Sequence, residues 1–483
     1  MTIADTVHIR ENDLNTRTLL ASALMIATTS AALAAPSTTY PQGQSLPFDN
    51  RQPALAVTQV LPLEGFYPSR DGGWAMGDTW GFVYSFAGNF APGSSQLADG
   101  ALLSIQQNQA LFSLLGTTYG GNGRTTFALP DLRGRAIIGQ GFAPGLTTRD
   151  AGNATGETLT TLTVAQLPSH THALPGGGST GATGGGQPFS NMMRSLTLHT
   201  LIAASGAFPA PAGSGGWTDA AFLGQIATFA GTFTPGGWLE ANGALLPISE
   251  YDALFSVIGT TYGGDGQTTF ALPNLTGRVA VGRNANHPLG SAWGEEATTL
   301  TLQQMPQHAH LLTTGEITGS SGSTTLVSND QPSFAVSYLI AIEGAYPVRD
   351  TGAGFDTDAA VLGQMTAFAG SFAPRGWAFA DGQLLPIAQY QALFSILGTR
   401  YGGDGVRTFA LPDLRGRTLI GENLSNRAEN PILPGDVVGT DALYFRSASL
   451  PAHAHAVSAV PEPAPAALLA AGLALVMVRR RRT

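Results

Sequence analysis

The chain has 483 residues, 43% of them apolar, which suits roughly two to four packed domains and excludes a wholly disordered protein. Only 11% are charged and 62 are glycine, so the composition is that of a neutral, turn-rich, β-rich chain. All 23 basic residues are arginine, there is no cysteine and the net charge is -9. Together these exclude lysine Schiff bases, a P-loop lysine, thiol catalysis, iron–sulfur clusters and disulfides, and they argue against nucleic acid as a partner.

At the start, Arg10 and Arg17 precede an alanine- and leucine-rich stretch from Thr18 to Ala35, with Ala32-Leu33-Ala34 just before Ala35-Pro36. A basic lead, an apolar centre and small residues at the end predict an export signal over 1–34, cleaved near Ala34. Between 35 and 459 the chain keeps 17 arginines against 28 acids, so the body should repel anionic surfaces.

The body repeats itself three times. Ala128 to Arg135 (ALPDLRGR) returns as Ala271 to Arg278 (ALPNLTGR) and as Ala410 to Arg417 (ALPDLRGR). Phe86-Ala87-Gly88 returns as Phe229-Ala230-Gly231 and Phe368-Ala369-Gly370, and Tyr119-Gly120-Gly121 as Tyr262-Gly263-Gly264 and Tyr401-Gly402-Gly403. An upstream strand opens each unit, from Pro53 to Pro68, Leu196 to Pro209 and Pro332 to Pro347, and a His-x-His closes it. The units span 46–172, 187–310 and 326–455. Between them, Pro175 to Gln187 and Gly315 to Thr325 are rich in glycine, serine and threonine and read as flexible loops or linkers.

Within a unit, Ser249 is placed to cap a short helix whose apolar stripe is Tyr251, Leu254, Phe255 and Ile258, ended by Gly259. Gly263-Gly264-Asp265-Gly266 then reads as a tight turn into a strand over 268–272. No Gly-Lys-Ser/Thr follows, so a phosphate-cradling loop is excluded. The Asp and Arg of ALPDLRGR read as a turn with its neutralising cations, and Trp238 and Trp377 read as module core, with sugar stacking as the alternative for exposed rings.

The run Phe368-Ala369-Gly370-x-Phe372-x-Pro374-x-Gly376-Trp377, then Asp381-Gly382, the short helix, Tyr401 to Gly405 and Ala410 to Arg417, resembles the phage tail collar domain. More closely it resembles the bacterial relatives known as microcystin-dependent proteins. The first unit departs with Ser95 in place of tryptophan, and the second with Asn274 and Thr276 in place of Asp and Arg. The resemblance and the many short turn-bounded strands imply an α+β fold, predominantly β, made of three tandem tail-collar-type modules. Each has short strands, hairpins and one short helix.

Six of the nine histidines fall in matched pairs: His170 and His172, His308 and His310, His453 and His455. In an extended segment residues two apart share a face, so both imidazoles of a pair can approach one point. Three pairs around an axis would offer six nitrogens, an octahedral set suited to iron or another first-row transition metal. In phage tail fibres, to which the resemblance leads, His-x-His segments of three identical chains hold iron on the trimer axis. Here the pairs could meet within one chain as a pseudo-trimer, or across a homotrimer, or stay apart as surface turns.

At the far end, Val460-Pro461-Glu462-Pro463 is followed by small and apolar residues from Ala464 to Val478 and by Arg479 to Arg482. The arrangement resembles the PEP-CTERM sorting signal over 460–483, which implies an exosortase-type partner, a Gram-negative exporter and membrane contact only through this segment. No His-Glu-x-x-His is present, no carboxylate pair repeats with the units, and no catalytic residue is assigned. The sequence therefore predicts an exported, non-enzymatic surface protein acting in attachment or assembly at the cell envelope or its polysaccharide matrix. A carbohydrate-binding adhesin recognising surface glycan, and a tail-fibre-like structural protein, are the alternatives.

Overall fold

The computed structural model describes residues 39, 41–70, 79–211, 221–348, 360–424 and 431–457. The predicted export signal over 1–34 and sorting tail over 460–483 lie outside the described residues. Among the described residues no helix is long and apolar enough to cross a membrane.

In the first copy β1 (Ala54–Pro62) turns back as β2 (Phe82–Phe86), α1 (Gln109–Leu115) follows, and β3 (Ala136–Gly139) closes the unit. The second copy repeats this order as β4 (Ser195–Ala203), β5 (Gln225–Phe229), α2 (Asp252–Ile258) and β6 (Val279–Gly282). The third repeats it as β7 (Ser333–Ala341), β8 (Gln364–Phe368), α3 (Gln391–Leu397) and β9 (Thr418–Gly421). The protein is thus predominantly β with one short helix per copy, as its sequence predicts.

The copies do not sit side by side as beads. Each closing strand runs parallel to the long strand of the next copy: β3 beside β4, β6 beside β7, and β9 back beside β1. Strands β2, β5 and β8 pair antiparallel with one another, Thr228 opposite Val83, Ile226 opposite Ala367 and Met365 opposite Ser85. The result is a closed ring with a pseudo-threefold axis in a single chain. Every position of β1 and β7 is buried, which is why these strands are mostly apolar on both faces rather than alternating, with Thr58 and Gln59 as the buried polar interruption in β1.

The repeated motifs are the joints of this ring. The Tyr119 hydroxyl donates to the Ala230 carbonyl at 2.8 Å, Tyr262 to Ala369 at 2.6 Å and Tyr401 to Ala87 at 2.8 Å, each from one copy to the next. Burial raises the pKa of all three phenols, so they remain donors. The glycine of Phe-Ala-Gly is needed for space: a Cβ on Gly88, Gly231 or Gly370 would run into the ring of Phe86, Phe229 or Phe368.

The helices start later than their sequence suggests. Tyr251 occupies the N-cap position with no side-chain cap, so Ser249 is not the cap, and Leu254, Val257 and Ile258 face the core. Gly259 ends the helix at φ 56°. Asp265 holds the following turn, its Oδ1 accepting the N–H groups of Gln267, Thr268 and Thr269 at 2.8–2.9 Å. Trp238 and Trp377 are 5% and 6% exposed, so they fill the core and the sugar-stacking alternative does not apply to them. Asp131 and Asp413 accept the backbone N–H and the guanidinium of Arg133 and Arg415, as turn residues with their cations.

Beyond the ring the three strands of chain converge into a stem. Phe48, Phe189 and Phe445 meet across the axis at 4.8–6.0 Å between ring centres, with Leu162, Leu300, Val327 and Leu443 around them. Leu167, Met305 and Leu450 form the next layer, all buried. These two apolar layers carry the histidines. The stretches at 175–187 and 315–325 are not free linkers, because they fold back and form isolated antiparallel bridges, with Thr183 opposite His170 and Ser321 opposite His308.

Candidate metal centre

All six predicted histidines lie together at the end of the stem, each at most 9% exposed. Leu-Pro, or Met-Pro in the second copy, precedes the first histidine of each pair and turns the chain so that its Nδ1 meets the proline carbonyl. His170 bonds Pro168 at 2.9 Å, His308 bonds Pro306 at 3.0 Å and His453 bonds Pro451 at 2.9 Å. In the second layer His172 Nδ1 bonds the Gly319 carbonyl and His455 Nδ1 bonds the Gly181 carbonyl, both at 2.8 Å and both from another copy. A carbonyl can only accept, so these contacts place the proton on Nδ1 and leave the Nε2 lone pair facing inward.

The Nε2 atoms of His170, His308 and His453 form a triangle with sides of 3.1–3.3 Å. The rings of His172, His310 and His455 form a second triangle, 4.7–4.8 Å between centres, and their Nε2 atoms are buried with no partner. The layers are staggered. His170 meets His172 and His455 edge-on, His308 meets His172 and His310, and His453 meets His310 and His455. The pairs left over, His170 with His310, His308 with His455 and His453 with His172, are then the three diagonals of an octahedron.

These residues fit a transition metal. Bonds of about 2.0–2.1 Å to imidazole set neighbouring donors of an octahedron about 3 Å apart, close to the observed triangle. Two overlapping groups, His170, His308, His453 and His455, and His172, His308, His310 and His455, meet the distance requirement for holding one ion. Burial is the main reason why His170, His172, His308, His453 and His455 are harder to protonate than free histidine, their neighbours adding repulsion in most. His170 falls to about 4 and His308 to about 3. They are neutral near pH 7, as ligands must be.

Around the cage, Thr180 accepts the His172 N–H, Thr318 the His310 N–H and Thr39 the His455 N–H, at 2.8–2.9 Å. Sequence reading missed these threonines. Thr180 and Thr318 each lie eight residues past their histidine, a repeat that was available in the supposed linkers. Thr39 was hidden, because the chain start supplies to the third copy what the downstream segment supplies to the first two. Six nitrogens would saturate an ion, so the cage suits a clamp rather than a catalytic metal with an open position.

No curated protein and no solved structure matches the chain at a significant level. The family model of the Phage Tail Collar Domain matches it three times, over residues 81–137, 224–280 and 363–419. Each match runs from the second strand of the hairpin through the helix and the ALPDLRGR-type turn into the closing strand, and leaves the histidine stem outside. The chain therefore carries three tandem copies of the phage tail collar domain.

Proposed function

We propose that this is a tail-collar-type structural protein that folds as an intramolecular pseudo-trimer and clamps a first-row transition metal, iron foremost, on its axis. His170, His172, His308, His310, His453 and His455 are the ligands. The observation that carries the reading is the convergence of six buried imidazoles, two from each copy of one chain, with the second nitrogens of His170, His172, His308, His453 and His455 fixed by carbonyls. The protein is exported and non-enzymatic and acts in attachment or assembly at the cell envelope or polysaccharide matrix. The signal-like start and the Pro-Glu-Pro tail support export over assembly into virions. An exosortase-type enzyme is its processing partner, and a surface glycan its ligand class.

Elemental analysis with solution mass, on protein spanning residues 35–459 purified without chelator, tests the clamp. One equivalent of metal per monomer, absent when His308 and His310 are alanine, is the expected result. Metal found only in a homotrimer would replace the intramolecular cage by shared ones. Fractionation of cells producing the full chain tests export, and retention in the cytoplasm would overturn it.

A further inference from the structure

The ALPDLRGR-type repeat ends on an arginine in every copy, but only two of the three have an acid at hand. Arg135 lies 3.9 Å from Asp131 and Arg417 lies 3.2 Å from Asp413. In the middle copy Asn274 and Thr276 replace the Asp and the first Arg. Arg278 is left with two backbone contacts, its Nη1 donating to the Asn274 carbonyl at 3.4 Å and the Thr276 carbonyl at 3.3 Å. Both are long beside the roughly 2.7–2.9 Å of charge-assisted pairs.

This half-buried cation lines a cavity of about 70 Å³ where the three copies meet, together with Gln59 and Ser85, Thr228, and Tyr338 and Thr418 from the first, second and third copies. Among the described residues no carboxylate lines it, and neither Arg135 nor Arg417 reaches it. Burial lowers the pKa of Arg278 and no neighbouring acid offsets this, yet a guanidinium keeps its charge at neutral pH. A partly desolvated charge without a counter-charge is costly, and the surrounding hydroxyls and amide solvate an ion without competing with it. A water needs about 10–15 Å³ of such space, so the cavity has room for an ion and some of its hydration.

We propose that the cavity on the pseudo-threefold axis binds a small inorganic anion of the chloride class against the Arg278 guanidinium. The anion replaces the carboxylate that the other two copies carry in their own sequence. It lies in the β ring rather than in the stem, so it is independent of the histidine cage.

The test follows thermal unfolding of the intact protein as chloride or bromide replaces gluconate at constant ionic strength. The unfolding midpoint should rise saturably, by about 1–3 °C at ten times the dissociation constant. Arg278→Gln should abolish the response. So should Asn274→Asp, which restores the arrangement of the sibling copies and keeps the fold if the glutamine variant does not. Crystals grown in bromide should show anomalous scattering within hydrogen-bond reach of Arg278. An unchanged response in both variants, a response to sulfate alone, or no bromide at Arg278 would each overturn the assignment.

Discussion

Thr39 and His455, 416 positions apart in the chain, are joined by two hydrogen bonds: the His455 N–H donates to Thr39 Oγ1 at 2.8 Å, and the Thr39 hydroxyl donates to the His455 carbonyl at 3.2 Å. Three residues further on, Gln42 and His453 exchange backbone bonds of 3.0 Å in both directions. In the first two copies the strand beside the histidines is simply the chain continuing, whereas in the third it is the start of the chain returning. The histidine cage is therefore also the place where the ring is fastened.

Metal binding and docking of residues 41–46 should be linked, because only the fastened state presents all six nitrogens. Thr39→Val leaves the His455 N–H buried without an acceptor, a loss of about 1–3 kcal/mol, or roughly 5- to 150-fold in metal affinity. Gly43→Val acts more strongly, since Gly43 has φ 111° and a side chain there meets the Leu450 and Pro451 carbonyls. Hydrogen exchange measured with and without metal checks the linkage. Amides of residues 41–46 should slow on loading, and equal rates in both states would show that the fastening does not depend on metal.

Loss of one ligand should be more damaging than loss of an outer contact. His310→Ala removes a buried Nε2 of the cage itself, so metal affinity should fall by more than the roughly 10–100-fold typical of losing a hydrogen bond that only orients a ligand. Thr318→Val, which removes only the acceptor of the His310 N–H, should stay within that range. Competition with a graded chelator series measures both. Equal effects would mean that His310 positions the cage without binding the ion.

Acid should loosen the metal-free cage. Five of its imidazoles are harder to protonate in the fold than the free value of 6.5, His170 at about 4 and His308 at about 3. Between these limits the unfolded chain binds more protons, so stability rises with pH there. The contribution is complete above about pH 6.5 and is lost as pH falls toward 3–4. Urea unfolding of the metal-free protein across that range should show the decline, and His308→Ala should flatten it. A flat profile in the unchanged protein would mean that the stem opens without cost.

Much of this was legible in the sequence because repetition exposes it. The three ALPDLRGR-type turns, the Phe-Ala-Gly and Tyr-Gly-Gly motifs and the three His-x-His pairs recur in register, and each is a joint of the ring or a ligand of the cage. What repetition hides is the pairing between copies. Nothing in the spacing says that β9 returns to β1, since parallel partners are chosen by tertiary packing rather than by local pattern. The glycine-rich stretches misled for the same reason. Composition suited a linker, but Thr180 and Thr318 in them accept histidine N–H groups, and glycines at 184 and 322 lie too close to the Pro168 and Pro306 carbonyls for any side chain. Ser249 failed as a cap because the turn through Pro247 delays the helix until Tyr251.

The tyrosine joints decide whether the copies unfold together. Tyr262→Phe keeps the ring and its packing and removes only the hydroxyl, leaving the Ala369 carbonyl without its 2.6 Å donor. The expected cost is about 1–2 kcal/mol with no change in metal content. Tyr119 makes the same bond at a second seam, so Tyr119→Phe should cost a similar amount, whereas Tyr401→Phe should cost less because the Ala87 carbonyl keeps the Arg400 Nη1 donor at 3.0 Å. The sites share no partner, and the triple variant should lose close to the sum of the three. Strands β2, β5 and β8 pair with one another, so no copy can leave without breaking the ladders of both others. Denaturant unfolding followed by tryptophan fluorescence and by circular dichroism should therefore give one coincident transition in every variant. Two separated transitions in Tyr262→Phe alone would show that the second and third copies hold together mainly through that hydroxyl, and that the strand pairing around the axis contributes less than its geometry implies.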